Sequence, residues 1–263
     1  MDLNLNDKSV VVLASSKGLG KATARQFASE GARVFLASRD EDALEKTAAE
    51  IREETGNPNV AFSVCDIKDA GSIKQLITKA VSAHGPIDIL VNNAGGPPAG
   101  SFDDIDDDAW QHAFELNLLS FTRAIREVLP HMRKQGGGHI LNFSSSSIKE
   151  PIDGLILSNT FRAGIIGLAK SLSQELAPDN ILINTIGPGR IGTDRVDHLD
   201  SVNAEKLGIP IEDVREEAKN KIPLGRYGSP EEFAKIAVFL CSQANTYVTG
   251  QSFLIDGGMV KAL

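Results

Sequence analysis

The residues Ser15-Ser16-Lys17-Gly18-Leu19-Gly20 follow a short apolar run, Ser9–Leu13, and lead at once into a helical pattern from Lys21. A glycine turn at such a junction has the chemistry of a phosphate cradle. Gly18 lets backbone approach a diphosphate, Gly20 permits close helix packing, and the helix start offers amide donors with partial positive charge. The same turn also occurs where a strand meets a helix with no ligand. A serine run, Ser144 to Ser147, comes later at a strand exit, where hydroxyls can polarise an oxygen or form only a polar strand end. Cys65 and Cys241 have neither CxxC spacing nor a histidine cluster nearby, so they read as buried free thiols and no metal site is expected.

Something must position these groups, and the periodicity names it. Seven short apolar or β-branched runs read as strands: Ser9–Leu13, Arg33–Ala37, Val60–Cys65, Ile87–Val91, His139–Phe143, Leu182–Ile186 and Ser252–Ile255. Between them Leu19–Ser29, Glu41–Glu54, Ser72–Ala83, Ala109–Met132, Leu155–Ala177 and Pro230–Ser242 read as crossover helices. The alternation predicts one α/β domain over residues 1–263, a Rossmann-type doubly wound parallel sheet with helices on both faces. Ligands then lie outside the carboxyl ends of the strands, which is where the glycine turn and the serine run fall. Gly95–Ser101 reads as a loop at the cofactor edge. Gly187–Ile222, long, charged and weakly periodic, is expected to supply a substrate lid at about residues 190–222.

With a formal net charge of -8, the chain lacks the basic balance that a polyphosphate backbone requires, so nucleic acid is set aside as a partner. The polar N-terminus and the short first apolar run fit neither a signal peptide nor a membrane span, and a cytoplasmic location is expected.

Further motifs fall in register and together resemble the short-chain dehydrogenase/reductase family. The family's TGxxxGxG turn corresponds to Leu13 through Gly20, with Leu13 and Ala14 in place of Thr and Gly and with Gly18 and Gly20 kept. An alanine there needs a negative φ or bears some strain. Asp66-Ile67 resembles the adenine-contacting segment, Asn92-Asn93-Ala94-Gly95 reproduces NNAG, Pro188-Gly189 through Ile191 to Thr193 resembles the segment that holds the nicotinamide carboxamide, and Asp256-Gly257-Gly258 resembles the closing turn. The resemblance implies a nicotinamide dinucleotide cofactor. The place that meets the adenosine ribose reads Ala37-Ser38-Arg39; a cation there, joined by Lys17, favours the 2′-phosphate of NADP(H), while Asp40 leaves NAD(H) open.

The resemblance also implies a catalytic set, and here the pattern changes. Asn117 matches the family's asparagine and Ser145 its substrate-orienting serine. The stretch Arg162-Ala163-Gly164-Ile165-Ile166-Gly167-Leu168 resembles KAGxxGL, so YxxxK has become Ser158-Asn159-Thr160-Phe161-Arg162. The two tyrosines, Tyr227 and Tyr247, lie far along the chain with no Lys or Arg four residues later. A phenol starts near a pKa of about 10 and one cation can bring it towards neutrality, whereas an aliphatic hydroxyl starts several units higher. Ser158 is therefore not expected to transfer the proton alone, and Arg162, always protonated, cannot be a base. A polar relay through Ser145 and Ser158 to water is the preferred route; Lys149, Glu150 and Asp153 are other sources. The expected activity is an NADP(H)-dependent reductase of a carbonyl, or oxidation of an alcohol, like the 3-oxoacyl-carrier-protein reductase branch. A silent NADP(H)-binding sensor or structural subunit and non-redox chemistry such as dehydration are the alternatives. The family often pairs subunits through helices like Ala109–Met132 and Leu155–Ala177, so a homotetramer or homodimer is expected.

Overall fold

The computed structural model describes residues 2–262. Its strands are β1 (Ser9–Val12), β2 (Arg33–Ser38), β3 (Val60–Val64), β4 (Ile89–Asn92), β5 (Gly138–Phe143), β6 (Ile181–Pro188) and β7 (Ser252–Ile255). All pair in parallel in the order β3-β2-β1-β4-β5-β6-β7. The chain reverses its direction of winding between β1 and β4, and that switch leaves a crevice at the strand ends.

Alternation along each strand divides the core into two. On one face Val11, Leu13, Phe35 and Leu90 pack with α3 (Ala70–His84), α5 (Ser120–Gln135) and α6 (Ile156–Glu175). On the other, Val10, Val12, Val34, Leu36 and Phe143 pack with α1 (Gly18–Ser29), α2 (Glu41–Thr55) and α9 (Pro230–Leu240). Burial on both faces explains why the strands read as continuous apolar runs. The expected α/β domain, parallel sheet and crossover helices are all present.

Two expectations need correction. The stretch expected as one helix from Ala109 to Met132 is α4 (Asp107–Phe114), a π-helical turn over Glu115–Leu119, and α5. The wider turn admits an extra residue and brings Asn117 into the interior, where it is fully buried. The loop expected over Gly187–Ile222 carries two helices, α7 (Asp194–Leu207) and α8 (Ile211–Asn220), parted by Gly208 in the left-handed region and by Pro210. Their apolar positions are few because only Ala204, Val214 and Ala218 among hydrophobic residues are buried, which is why periodicity missed them.

Phe233 of α9 meets Phe143 of β5 edge to face, with ring centroids 4.9 Å apart. Both are buried at the centre of one core layer. Phe233→Ala is expected to lower the unfolding free energy by about 3–5 kcal/mol in denaturant titration.

Candidate active site

The glycine turn is built from β1 outward. Ser15 is wholly buried: its hydroxyl bonds the Val12 carbonyl at 2.8 Å and accepts from the Ala37 amide at 2.9 Å, which joins the ends of β1 and β2. Its side chain is thus committed to the fold, and only its backbone is left for a ligand. Ser16 offers its carbonyl to Thr47 at 2.8 Å, and Gly18 sits at φ +56°. A Cβ on Gly20 would lie 2.9 Å from Asn93 Nδ2, and that same amide donates to the Ala14 carbonyl at 3.1 Å. Asn93 therefore clamps the turn, and only glycine leaves room beneath it. Ala14 takes the strained course, at φ +47°.

The start of α1 has no side-chain cap, with Lys17 extended at the N-cap. α6, α7 and α8 also lack one, whereas α2, α3, α4 and α9 are capped by Asp40, Asp69, Asp106 and Ser229. The amides of α1 are left for an external anion. At the β2 exit Arg39 is exposed and forms no ion pair among the described residues, and Ser38 accepts from the Asp40 amide. The Asp40 carboxylate is turned into α2, accepting from Ala43 N at 3.0 Å. The exposed Lys17 ammonium lies 3.6 Å from Asp194 on α7. Asp66 accepts from the Lys68 amide, which shapes the β3 exit, and Ile67 is buried beside it.

Arg162 occupies the interior at the ends of β4 and β5. It is 5% exposed, donates to the Phe143 carbonyl at 2.8 Å and to the Ala94 carbonyl at 3.4 Å, and meets no acid among the described residues. Burial, helped by the charge of Arg195, pushes its pKa down to about 10. Ser144 donates to the Arg162 backbone carbonyl at 3.5 Å. The next residue, Ser145, accepts from the Ser147 amide at 3.1 Å, which leaves its own proton free. Ser158, one turn before Arg162 on α6, is nearly buried and its hydroxyl has no partner among the described residues. Asn117 donates to the Gly95 carbonyl at 2.9 Å, while its Oδ1 is buried and unpartnered. Lys149, Glu150 and Asp153 are exposed on the strand-exit loop.

The β6 exit carries the remaining contacts. Gly189 bonds the Ile255 carbonyl at 2.9 Å, where a Cβ would collide with Asp256, so the closing turn braces Pro188-Gly189 from behind. Ile191 is buried against Gly228 and offers only backbone, whereas Thr193 brings its methyl over Gly18. Asp200 of α7, fully buried, pairs with Arg190 and accepts from the Tyr227 hydroxyl at 2.9 Å. Burial and that bond push the Tyr227 phenol up to about 12. Tyr247 is 96% exposed. Neither tyrosine lies on α6, where Ser158 and Arg162 stand.

Comparison with known proteins decides the family. A family profile described as enoyl-(acyl carrier protein) reductase matches residues 13–260. The 3-oxoacyl-[acyl-carrier-protein] reductase FabG of Chlamydia pneumoniae is 36% identical over 261 residues, 98% of this chain and 99% of its own. L-sorbose reductase from Gluconobacter frateurii, solved with NADPH and L-sorbose, superposes with a TM-score of 0.95 at 32% identity, covering 100% of both chains. The chain is a short-chain dehydrogenase/reductase. It is an oxidoreductase of that family, and a further neighbour is informative. An NADPH-bound short-chain oxidoreductase from Pseudomonas aeruginosa PAO1, described as containing an atypical catalytic center, matches at 28% identity and a TM-score of 0.89 over 98% of this chain and 99% of that one.

The residues of this short-chain reductase fit a nicotinamide dinucleotide. The uncapped start of α1 and the orphaned Asn117 Oδ1 are open positions for such a ligand, and Gly20, packed beneath Asn93 and the Ala14 carbonyl, keeps the turn between β1 and α1 tight. Sequence reasoning missed Thr47, the bracing role of Asn93 and above all Arg195; the last has no motif signal, since only the path of α7 brings it to the β4 exit.

Two outcomes follow from this geometry. Ala14→Gly relieves a left-handed alanine at the expense of a looser unfolded chain, so it is expected to raise stability by about 0.5–1 kcal/mol, read as a higher midpoint in thermal and denaturant unfolding. Arg162→Met removes an unpaired interior charge, so its unfolding free energy is expected at or above that of the parent while turnover is lost. A loss of more than about 2 kcal/mol would instead make Arg162 a structural residue.

Proposed function

We propose that this protein is an NADP(H)-dependent reductase of a carbonyl compound, reversible to the alcohol, in which Ser145, Ser158 and Arg162 do the work that a tyrosine and a lysine do in the family pattern. The observation that carries this reading is the interior Arg162 guanidinium at the ends of β4 and β5, one turn from the unbonded Ser158 hydroxyl. When bound, the cofactor supplies the hydride. Ser16, Gly18, Leu19 and Gly20 with the α1 amides hold its diphosphate; Asp66, Ile67, Asn93, Ala94 and Gly95 line the adenosine and ribose side; and Pro188, Gly189, Ile191 and Thr193 face the carboxamide. Arg162 bonds ribose hydroxyls.

Ser145 has its acceptor role filled by Ser147, so it donates to the substrate oxygen. Ser158 orients that oxygen, and the fixed charge of Arg162 stabilises it as negative charge develops in a site shielded from water. The proton comes from water through the two serines, or from the exposed Lys149, Glu150 or Asp153 by way of water. Asn117 Oδ1 is free to accept from such a water.

Cofactor choice rests on the β2 exit. Arg39 is an open cation for a 2′-phosphate, while Asp40, the group that would suit NAD(H), is engaged as the cap of α2. A lid over residues 190–222, formed by α7 and α8, completes the reading, as does pairing of subunits into a dimer or tetramer through α4, α5 and α6. Two buried free cysteines suit a reducing, cytoplasmic setting. No helix among the described residues is long and apolar enough to cross a membrane.

A silent NADP(H)-binding module is the second reading, favoured by the absence of a tyrosine on α6 and by the engagement of Tyr227 with Asp200. Stopped-flow absorbance at 340 nm separates the two. NADPH-loaded protein mixed with ketones, diketones and β-ketoacyl thioesters is expected to consume NADPH, and Arg162→Ala or Ser158→Ala to slow it at least tenfold. Binding of NADPH without consumption across the panel would establish the silent module. Arg39→Ala is expected to weaken NADPH binding at least tenfold with little effect on NADH, measured by cofactor fluorescence.

A further inference from the structure

Two guanidiniums bracket the segment that leaves β4. Arg162 bonds its first carbonyl, Ala94, and Arg195 bonds its last, donating to Pro97 at 3.1 Å. Between them Gly96 makes the space: a Cβ there would lie 2.9 Å from Arg195 Nη2 and 3.1 Å from its Nε. Neither arginine has an acid partner among the described residues; each donates to backbone carbonyls alone. Burial lowers the pKa of both, and Arg195 lowers that of Arg162 further. Arg162 is interior while Arg195 is exposed at the crevice mouth, so the inner charge is felt there and the outer one stays open to a ligand from solvent. Arg195 also occupies the first turn of α7, the end of a helix where a cation is unfavourable. The arrangement leaves an accessible guanidinium beside Gly96 with no acid bonded to it, in the field of the interior Arg162.

We propose that Arg195 recognises a carboxylate on the substrate, so that the compound reduced is an oxo acid. The inference rests on the reductase reading above and names its substrate class. The diphosphate of the cofactor belongs elsewhere: Thr193 stands over Gly18, and two residues on the chain has passed to the β4 exit, where Arg195 lies over Gly96. The anion that Arg195 meets is therefore beyond the diphosphate cradle, on the side of Asn117 and Ser158. A planar guanidinium suits a carboxylate through paired hydrogen bonds. The Arg190–Asp200–Tyr227 cluster ties α7 to the β6 exit and so fixes the height of Arg195 above the crevice.

The test is a matched series: acetoacetate, 3-oxohexanoate and levulinate, each beside its methyl ester. Binding is measured by calorimetry on NADP⁺-loaded protein, which cannot reduce them, and turnover separately with NADPH. At least one acid is expected to bind tenfold or more tighter than its ester. Arg195→Gln is expected to bring that ratio within twofold, and Arg195→Lys to retain part of it. Gly96→Ala, which displaces the flexible guanidinium without altering its charge, is expected to reduce the ratio as well and serves if Arg195→Gln folds poorly. Equal binding of acids and esters throughout the series overturns the proposal. So does a tenfold or greater loss of NADPH affinity in Arg195→Gln with the acid preference intact, which would assign Arg195 to the cofactor phosphates. An acid preference that depends on Arg195 without any NADPH consumption supports the carboxylate site while the reductase reading fails; consumption with no preference for acids does the reverse.

Discussion

An unpaired guanidinium in the interior is the constraint around which this site is organised. Arg162 reaches the ends of two neighbouring strands, bonding the Phe143 carbonyl of β5 and the Ala94 carbonyl just beyond β4. α6 is seated on the sheet by Ile165, Ala169 and Leu176, and that packing carries Arg162 and Ser158 to the strand ends beside Ser145. Two carbonyl bonds satisfy part of the group but leave its charge uncompensated, and desolvation has already lowered its proton affinity. A charge kept under such conditions acts on whatever negative charge enters the crevice, in a medium where electrostatic interactions are strong.

In the proposed reaction a serine–arginine pair stands where the family pattern has tyrosine and lysine, and what limits the reaction changes with it. A phenol whose pKa is lowered can exchange a proton near neutral pH; a serine hydroxyl cannot, and an arginine does not release one. Stabilisation then shifts from proton transfer to electrostatics: fixed donors aimed at the developing oxyanion, with water as the proton source. The orphaned Asn117 Oδ1 and the open Ser158 hydroxyl provide places to hold that water without any residue of matched pKa.

The cofactor end shows how close packing and strain coexist. Asn93 binds the Ala14 carbonyl, Gly20 lies beneath it, and the Ser15 hydroxyl joins β1 to β2. These contacts hold Ala14 in a left-handed conformation that costs an alanine about 1–2 kcal/mol. The turn keeps its shape because the surrounding bonds outnumber the one strained residue. At the other side of the crevice the buried Asp200 holds Arg190 and Tyr227, so that α7 is attached to the sheet by charge and hydrogen bonding rather than by an extensive apolar face.

Much of this was legible in the chain. Strands buried on both faces leave continuous apolar runs, so all seven were apparent in the sequence, and their alternation with helical patterns implies the parallel sheet. The glycine turn, NNAG and the Ser158–Arg162 spacing are local, and local spacing survives in sequence. The π-helical turn at Glu115–Leu119 was hidden because one extra residue per turn hardly alters hydrophobic periodicity, and α7 and α8 were hidden because they bury so few apolar side chains. Which polar groups are engaged was likewise out of reach: that Asp40 caps a helix, that Lys17 turns to Asp194, that Tyr227 is bonded to Asp200. Residue types and spacing determined the architecture and the cofactor turn, because both depend on short-range geometry. The charge state and company of Arg162, and the arrival of Arg195 more than thirty residues later, were decided only in three dimensions, because burial and like-charge proximity depend on segments that are distant along the chain.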